Sequence, residues 1–241
     1  MAQTYGPQYP GIEDGLIFCF DPKNRDCWDG GTSLTDLKSG IVITSANSVG
    51  KTGAISSEGY FTFDGSDDRL TTPDNNALET EAVTIQCWVN LDGTWGGNYP
   101  TVFGRLGGAS SPYKIRTYGG ANSDLGLQIY DSTYRVGPKL TTNGGDISYD
   151  TWYFLSFSYD YNASDGQRFK VYLNGVFDSQ STTGGGTIAT DDTVGLEFME
   201  SAADSNSNLG GSLGPCMIYN RELTAAEVLT NYNRLKSRFG L

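Results

Sequence analysis

The sequence predicts an all-β protein in which two antiparallel sheets stack as a sandwich, with one short C-terminal α-helix. Three observations lead there. Apolar residues alternate with period two, as in VTIQCWVNL, where Val83, Ile85, Cys87, Val89 and Leu91 share one face and Thr84, Gln86, Trp88 and Asn90 the other. Turn formers, 32 glycines among them, separate such stretches at intervals of about eight to fifteen residues. Helical period is clear only in YNRELTAAEVLTNYNRLKSRFGL, Tyr219 to Leu241.

Residues 1–14, MAQTYGPQYPGIED, carry Pro, Gly and Tyr without periodicity and read as an arm or linker, so the folded domain is expected over 15–241. Strands are expected at GLIFCFD, YFTFDG, RLTT, VTIQCWVNL, TVFGRL, YKIRTY, LGLQIYD, WYFLSFSYDY, RFKVYLNGVF, VGLEFME and LGPCMIYN. FDGSDDRL reads as a hairpin. RFKVYLNG turns Phe169, Val171 and Leu173 inward and Arg168, Lys170 and Tyr172 outward; the Asn174-Gly175 pair after it is a type I′ hairpin signal. The loop YNASDGQ joins LSFSYDY to that strand. Pro215 lacks an N–H, so it belongs at an edge, a bulge or the start of its strand.

The helix opens on a capping box, with Thr224 capping the first amides and Glu227 reaching back to the Thr224 amide. Leu223 and Val228 can close a hydrophobic staple over the first turn. Val228, Tyr232 and Leu235 form an apolar stripe, with Asn231, Arg234 and Lys236 off it. Arg234, Lys236 and Arg238 gather at the end that the helix dipole favours for cations. Such a helix docks by one face, in the first instance on its own domain.

A chain of 241 residues with 37% hydrophobic and 18% charged content can bury one large β core. Its net charge of −12 excludes nucleic acid as an expected partner. No basic start followed by a long apolar run opens the sequence, so a Sec-type signal peptide is not expected, and GLIFCF is too short for membrane insertion. Of Cys19, Cys27, Cys87 and Cys216, three lie in the apolar runs FCF, QCW and PCMIY. That suits small buried hydrophobes made in a reducing cell, with a disulfide as the second reading.

The succession GLIFCFD, YFTFDGSDDRL, VTIQCWVNL, TWYFLSFSYD, FKVYLNGVF and LGPCMIYNRELTAAEV resembles the concanavalin A-like lectin/glucanase superfamily. More narrowly it resembles laminin-G-like jelly rolls, over about Gly15 to Leu241. The ending IYNRELTAAEVLTNYNRLKSRFGL is similar to the tails of such domains in structural proteins of tailed, cyanophage-like bacteriophages. The resemblance implies a jelly roll whose first and last strands pair, with the terminal segment as a lid on one end of the sandwich. It also brings Cys19 near Cys216 and leaves a disulfide between them open. In function it implies a non-enzymatic virion surface protein, a capsid decoration or a tail or appendage module, working in adhesion or particle stabilisation. Such a protein is made in the host cytoplasm and docks on other virion proteins, here through residues 1–14; a homo-oligomer is open as well. Many relatives carry an acidic pair before IYNR where this chain has Gly214-Pro215, so a calcium site using that acid is not expected, nor any other cofactor.

The superfamily's glucanases need two carboxylates on one strand face, about 5–5.5 Å apart for retention. Glu197 and Glu200 are three residues apart and a regular strand would turn them to opposite faces; Glu79 and Glu81 have the parity but sit in a turn. The absence of histidine removes Ser-His and Cys-His activation and the commonest zinc ligand. GGTS, WGGN and TTGGGT lack the ending of a phosphate loop. Asp64, Asp67 and Asp68 are hard oxygen ligands suited to calcium, and are hairpin-turn residues by the same token.

Binding fits the composition better. A lectin site pairs an aromatic platform with a few polar groups that orient the sugar. The candidates are Trp88, Arg116, Gln128 and Tyr130 on the expected non-core faces, and Trp95, Asn98 and Tyr99 in the loop LDGTWGGNYP, for a cell-surface glycan. Trp88 and Tyr130 have a second reading, as cover for the second sheet or for a neighbouring protomer.

Overall fold

The computed structural model describes residues 9–28, 34–46, 59–97, 99–106, 111–118, 124–141, 145–190, 193–201 and 207–241. In chain order the strands are β1 (Leu16–Phe20), β2 (Leu34–Thr35), β3 (Val42–Ala46), β4 (Phe61–Asp64), β5 (Arg69–Thr71), β6 (Val83–Trp95), β7 (Thr101–Arg105) and β8 (Tyr113–Tyr118). There follow β9 (Asp124–Tyr130), β10 (Tyr134–Leu140), β11 (Tyr153–Tyr159), β12 (Phe169–Leu173), β13 (Val176–Ser181), β14 (Leu196–Phe198), β15 (Glu200–Ser201), β16 (Ser207–Tyr219) and the helix α1 (Ala225–Leu235). One sheet runs β1-β16-β6-β11-β12-β13, with β4 and β15 also paired to β16; the other runs β10-β9-β8-β7-β14-β5-β3-β2. The strand pairs are antiparallel. This is the expected all-β jelly-roll sandwich with one short C-terminal helix.

Between the sheets lies an aromatic core, in which Phe103 stacks on Phe198 with ring centres 4.8 Å apart and Phe18 and Phe20 tilt against Phe198. The period-two reading of β6 holds for its inner face, where Val83, Ile85, Cys87, Val89 and Leu91 are all buried. The first and last strands pair, β1 on β16. One edge of β16 is shared in succession, with β4 opposite Gly210 to Leu213 and β1 opposite Cys216 to Tyr219. The register with β6 slips between Leu213 and Cys216. Gly214-Pro215 fill that slip, so a bulge is what admits a residue without an N–H to an interior strand.

Four short or irregular strands go beyond the sequence expectations: β2, β3, β10 and β15. In β10 the sequence YRVGPKL hides a strand behind Gly137-Pro138. These two occupy a register shift between Val136 and Lys139 on an edge strand, where Pro138 owes no ladder bond. A Cβ at Gly137 would stand 2.4 Å from the Phe169 ring, so the glycine lets the sheets meet there.

The helix begins as expected. The Glu227 N–H donates to Thr224 Oγ1 at 3.3 Å, and the Thr224 N–H donates to Glu227 Oε2 at 2.8 Å. It does not cap an end of the sandwich, however; it lies across the outer face of the first sheet. Trp88, expected to face outward to a ligand, is fully buried there, stacked on Tyr232 and Phe239 with ring centres 5.7 and 4.3 Å away. Asn231, expected off the buried stripe, is also fully buried. Its amide donates to Gln86 Oε1 at 2.7 Å and to the Tyr219 hydroxyl at 2.9 Å, and accepts the Ile12 N–H at 2.8 Å. The described part of the expected arm therefore sits on the fold: Gly11 accepts from Arg234, and Asp14 pairs with Arg221 at 3.0 Å. Residues 1–8 lie outside the described residues.

Arg221 clamps Glu227 at 2.6 and 3.0 Å, and this guanidinium, ahead of the cap, holds the Glu227 carboxyl down at about 2 from its ordinary 4.5. Because the folded value is the lower one, the stabilisation is complete above pH 4.5 and is lost as pH falls toward 2. Glu227→Gln is expected to destabilise the protein by about 1 kcal/mol at pH 7, since Gln keeps the cap but not the ion pair. Chemical denaturation at pH 7 and pH 2.5 should show the two proteins converging in acid.

All four cysteines are free, buried thiols. Cys216 is the register partner of Cys87 on the core face, while Cys19 sits between the inward-facing Phe18 and Phe20 and so points the other way. That geometry opposes a Cys19–Cys216 bridge. Burial raises all four thiols, Cys27 to about 12, which leaves them protonated and unreactive at neutral pH.

Candidate functional site

The outer face of the second sheet carries the polar and aromatic groups. In β8, Tyr113, Ile115 and Thr117 are buried and Arg116 and Tyr118 half-buried on the opposite face; in β9, Leu125, Leu127 and Ile129 are buried inward and Gln128 lies outward beside them. The register sets Arg116 opposite Gly126 and Tyr118 opposite Asp124, and on the other side of β9 sets Lys139 opposite the same Gly126. A Cβ at Gly126 would come within 3.2 Å of both the Lys139 side chain and the Tyr118 ring. Its absence lets the two cross over the strand.

These groups converge. The Arg116 guanidinium lies 4.3 Å from the centre of the Tyr99 ring and 5.3 Å from that of Tyr118, and Lys139 Nζ lies 4.6 Å from the Tyr118 ring centre. Gln128 Oε1 accepts from Arg116 Nη1 at 2.8 Å and from the Tyr118 hydroxyl at 3.4 Å. Burial, working against the neighbouring Arg116, pushes the Tyr118 hydroxyl well above its ordinary value, so it stays a donor. Tyr99 is 44% exposed and gives the cluster an open aromatic ring. Tyr130 continues the same face of β9 and meets Tyr134 edge-on, with ring centres 5.2 Å apart.

Of the seven expected carbohydrate-binding residues, Tyr99 and Gln128 both meet Arg116, and Tyr130 extends their surface. Trp88 belongs to the opposite sheet, beneath the helix. Trp95 ends β6, where its ring neighbour among the described residues is Tyr149 at 6.1 Å, and it packs against the core. Asn98 lies outside the described residues. Lys139 was missed because β10 was not recognisable as a strand; the alternation of Tyr134 and Val136 ahead of Gly137 is the signal that could have found it.

Other candidate chemistry looks different in three dimensions. The parity argument for Glu197 and Glu200 does not apply, since Met199 takes φ 60 and both Phe198 and Met199 are buried. Glu200 is instead gripped by Arg69, with both oxygens at 2.9 Å. Asp64, Asp67 and Asp68 do bring carboxylate oxygens within 4.8 Å of one another. Asp64 Oδ1 accepts the Ser66 N–H at 2.8 Å and Asp68 Oδ2 accepts the Asp64 N–H at 3.2 Å, so turn formation accounts for the cluster. A cavity of about 350 Å³ opens between Tyr60, Trp152, Arg238 and Phe239, where the segment after α1 meets the first sheet. Arg238 there gives both amino groups to Asp21, at 2.9 and 3.0 Å. Among the described residues no helix is long and apolar enough to cross a membrane.

A laminin-G family model of the concanavalin A-like lectin/glucanases superfamily matches residues 64–229. The chain belongs to this family. Domain 4 of AbnA, an extracellular GH43 arabinanase from Geobacillus stearothermophilus, in complex with arabinotriose, superposes with TM-score 0.64 at 19% identity, over 92% of this chain and 100% of that one. The botulinum neurotoxin serotype G binding domain gives TM-score 0.66 at 15% identity, over 90% of this chain and 50% of its own length. The botulinum neurotoxin DC binding domain, solved in complex with rat synaptotagmin II, gives 0.66 at 13% identity, with 92% and 52% covered. The chain thus spans about half of each toxin binding domain, and at these identities the likeness is one of fold. No curated protein sequence matches the chain.

Proposed function

We propose that this chain is a non-enzymatic glycan-binding module working in adhesion at the surface of a phage particle, made in the host cytoplasm. The observation that carries the binding part is the convergence of Tyr99, Arg116, Tyr118 and Gln128 on an outer sheet face, with a ring exposed beside polar groups. A sugar presents apolar C–H faces to such a ring and hydroxyl edges to the amide and guanidinium. The superposable AbnA domain, solved with arabinotriose, supports the reading. The non-enzymatic part rests on carboxylates: Glu200 is occupied by Arg69, and Glu79 and Glu81 flank a turn ahead of β6. The virion part rests on the tail IYNRELTAAEVLTNYNRLKSRFGL, similar to those of phage structural domains, with the N-terminal segment 1–14 meeting other virion proteins ahead of the stretch from Gly11 to Asp14 that is tied to the fold. The proposed site needs no cofactor.

A glycan array on the purified chain tests the binding reading. Tyr99→Ala and Arg116→Ala are each expected to weaken the best glycan at least about ten-fold, the loss of one stacking or charge-assisted contact. A parent protein that binds no glycan would remove this part. Stoichiometric co-purification with phage particles tests the virion part; a protein found only free in the lysate would favour a free-standing lectin using the same site.

A further inference from the structure

We infer that this site selects acidic saccharides over neutral ones, with the anion held by Arg116; the inference rests on the glycan-binding reading above. Arg116 donates through Nη1 to Gln128 and through Nε to the Thr117 carbonyl at 3.4 Å, both neutral acceptors. No carboxylate of the described residues pairs with it, and Nη2 donates to none of them. In a chain with 28 acidic and 16 basic side chains, seven of the other arginines and lysines that are described have carboxylate partners. The neighbouring groups repeat the pattern. Gln128, only 4% exposed, uses its oxygen within the cluster, so the part of it left to donate is the amide N–H pair. Lys139 has one acid near it, Asp124 at 4.0 Å, a loose pair with both side chains more than a third exposed.

The cluster therefore presents mainly donors, its acceptors being the tyrosine hydroxyls and the Asp124 carboxylate on the Lys139 side. A neutral sugar hydroxyl both donates and accepts and uses such a surface incompletely. A carboxylate or sulfate only accepts, and a guanidinium meets it with two parallel N–H groups. The Tyr99 and Tyr118 rings on the guanidinium hold its plane fixed, so less side-chain freedom is lost when an anion docks.

The test is titration calorimetry on the full chain with tri-galacturonic acid, its methyl ester, and a sulfated galactose trisaccharide. The acid or the sulfated sugar is expected to bind at least about ten-fold tighter than the ester, in a salt-sensitive way. Which of the two is tighter identifies the anion. Arg116→Gln is expected to abolish the difference, and Lys139→Gln to reduce it, with melting temperatures confirming that both variants fold. Equal binding of acid and ester would overturn the inference and leave the glycan-binding reading standing. No binding of any of the three, from a chain that binds other glycans on the array, would also overturn it; no binding of any glycan at all would remove both.

Discussion

Trp88→Ala is expected to destabilise the protein by about 3–5 kcal/mol, the largest effect of any single change considered, while leaving glycan affinity of the folded fraction unchanged. The ring is wholly enclosed, with Phe154 beside it at 5.3 Å, Phe239 and Tyr232 stacked over it and the Gly214 backbone close to its Cβ. Deleting it removes the platform on which the helix and the turn after it rest, and leaves a cavity between two rigid layers that cannot collapse to fill it. Trp88→Phe keeps part of the stack and should cost less. Guanidinium denaturation gives the stabilities, and calorimetry below the transition gives the affinities. A Trp88→Ala protein that is as stable as its parent but blind to glycan would show that the ring meets ligand after all.

The second large effect is expected at Asn231. Asn231→Leu should cost about 3 kcal/mol, because it strips partners from the Gln86 carbonyl, the Tyr219 hydroxyl and the Ile12 N–H at once, in a place without exposure. For a chain of this size that corresponds to a fall in Tm of roughly 6–12 °C. The segment at residues 9–14 should also become cleavable by protease, since the amide is one of the ties that hold it to the helix. A melting temperature within about 2 °C of the parent would mean that water or side-chain rearrangement satisfies those groups.

Both residues show where the sequence could and could not be read. Alternation in VTIQCWVNL correctly separated two faces, and the inner one is core. Period two cannot tell whether the other face meets solvent, ligand or a helix that arrives from more than a hundred residues away. Alternation therefore leaves Trp88 open both as a platform for a ligand and as cover for a neighbouring layer, and the structure makes it the floor beneath the helix. Asn231 departs from expectation for a related reason: a polar residue at a helix position next to Val228 looks solvated until its partners from β6, β16 and residue 12 are known. In the candidate site, Arg116 and Gln128 were legible because β8 and β9 alternate cleanly, and Tyr99 because an aromatic in a glycine-rich loop stands out. Lys139 was not, since Gly137-Pro138 interrupts its strand and only the pairing with β9 restores it to that face.

The pairing of β1 with β16 carries a consequence for biosynthesis. The first strand has no other neighbour in its sheet, so the stretch Leu16–Phe20 must wait on the ribosome until Tyr219 has emerged before its ladder can form. Until then its Phe18 and Phe20 side chains have only half a core to enter. Loop closure over such a separation is slow, and nascent chains stalled before β16 should be the species that chaperones hold and proteases remove.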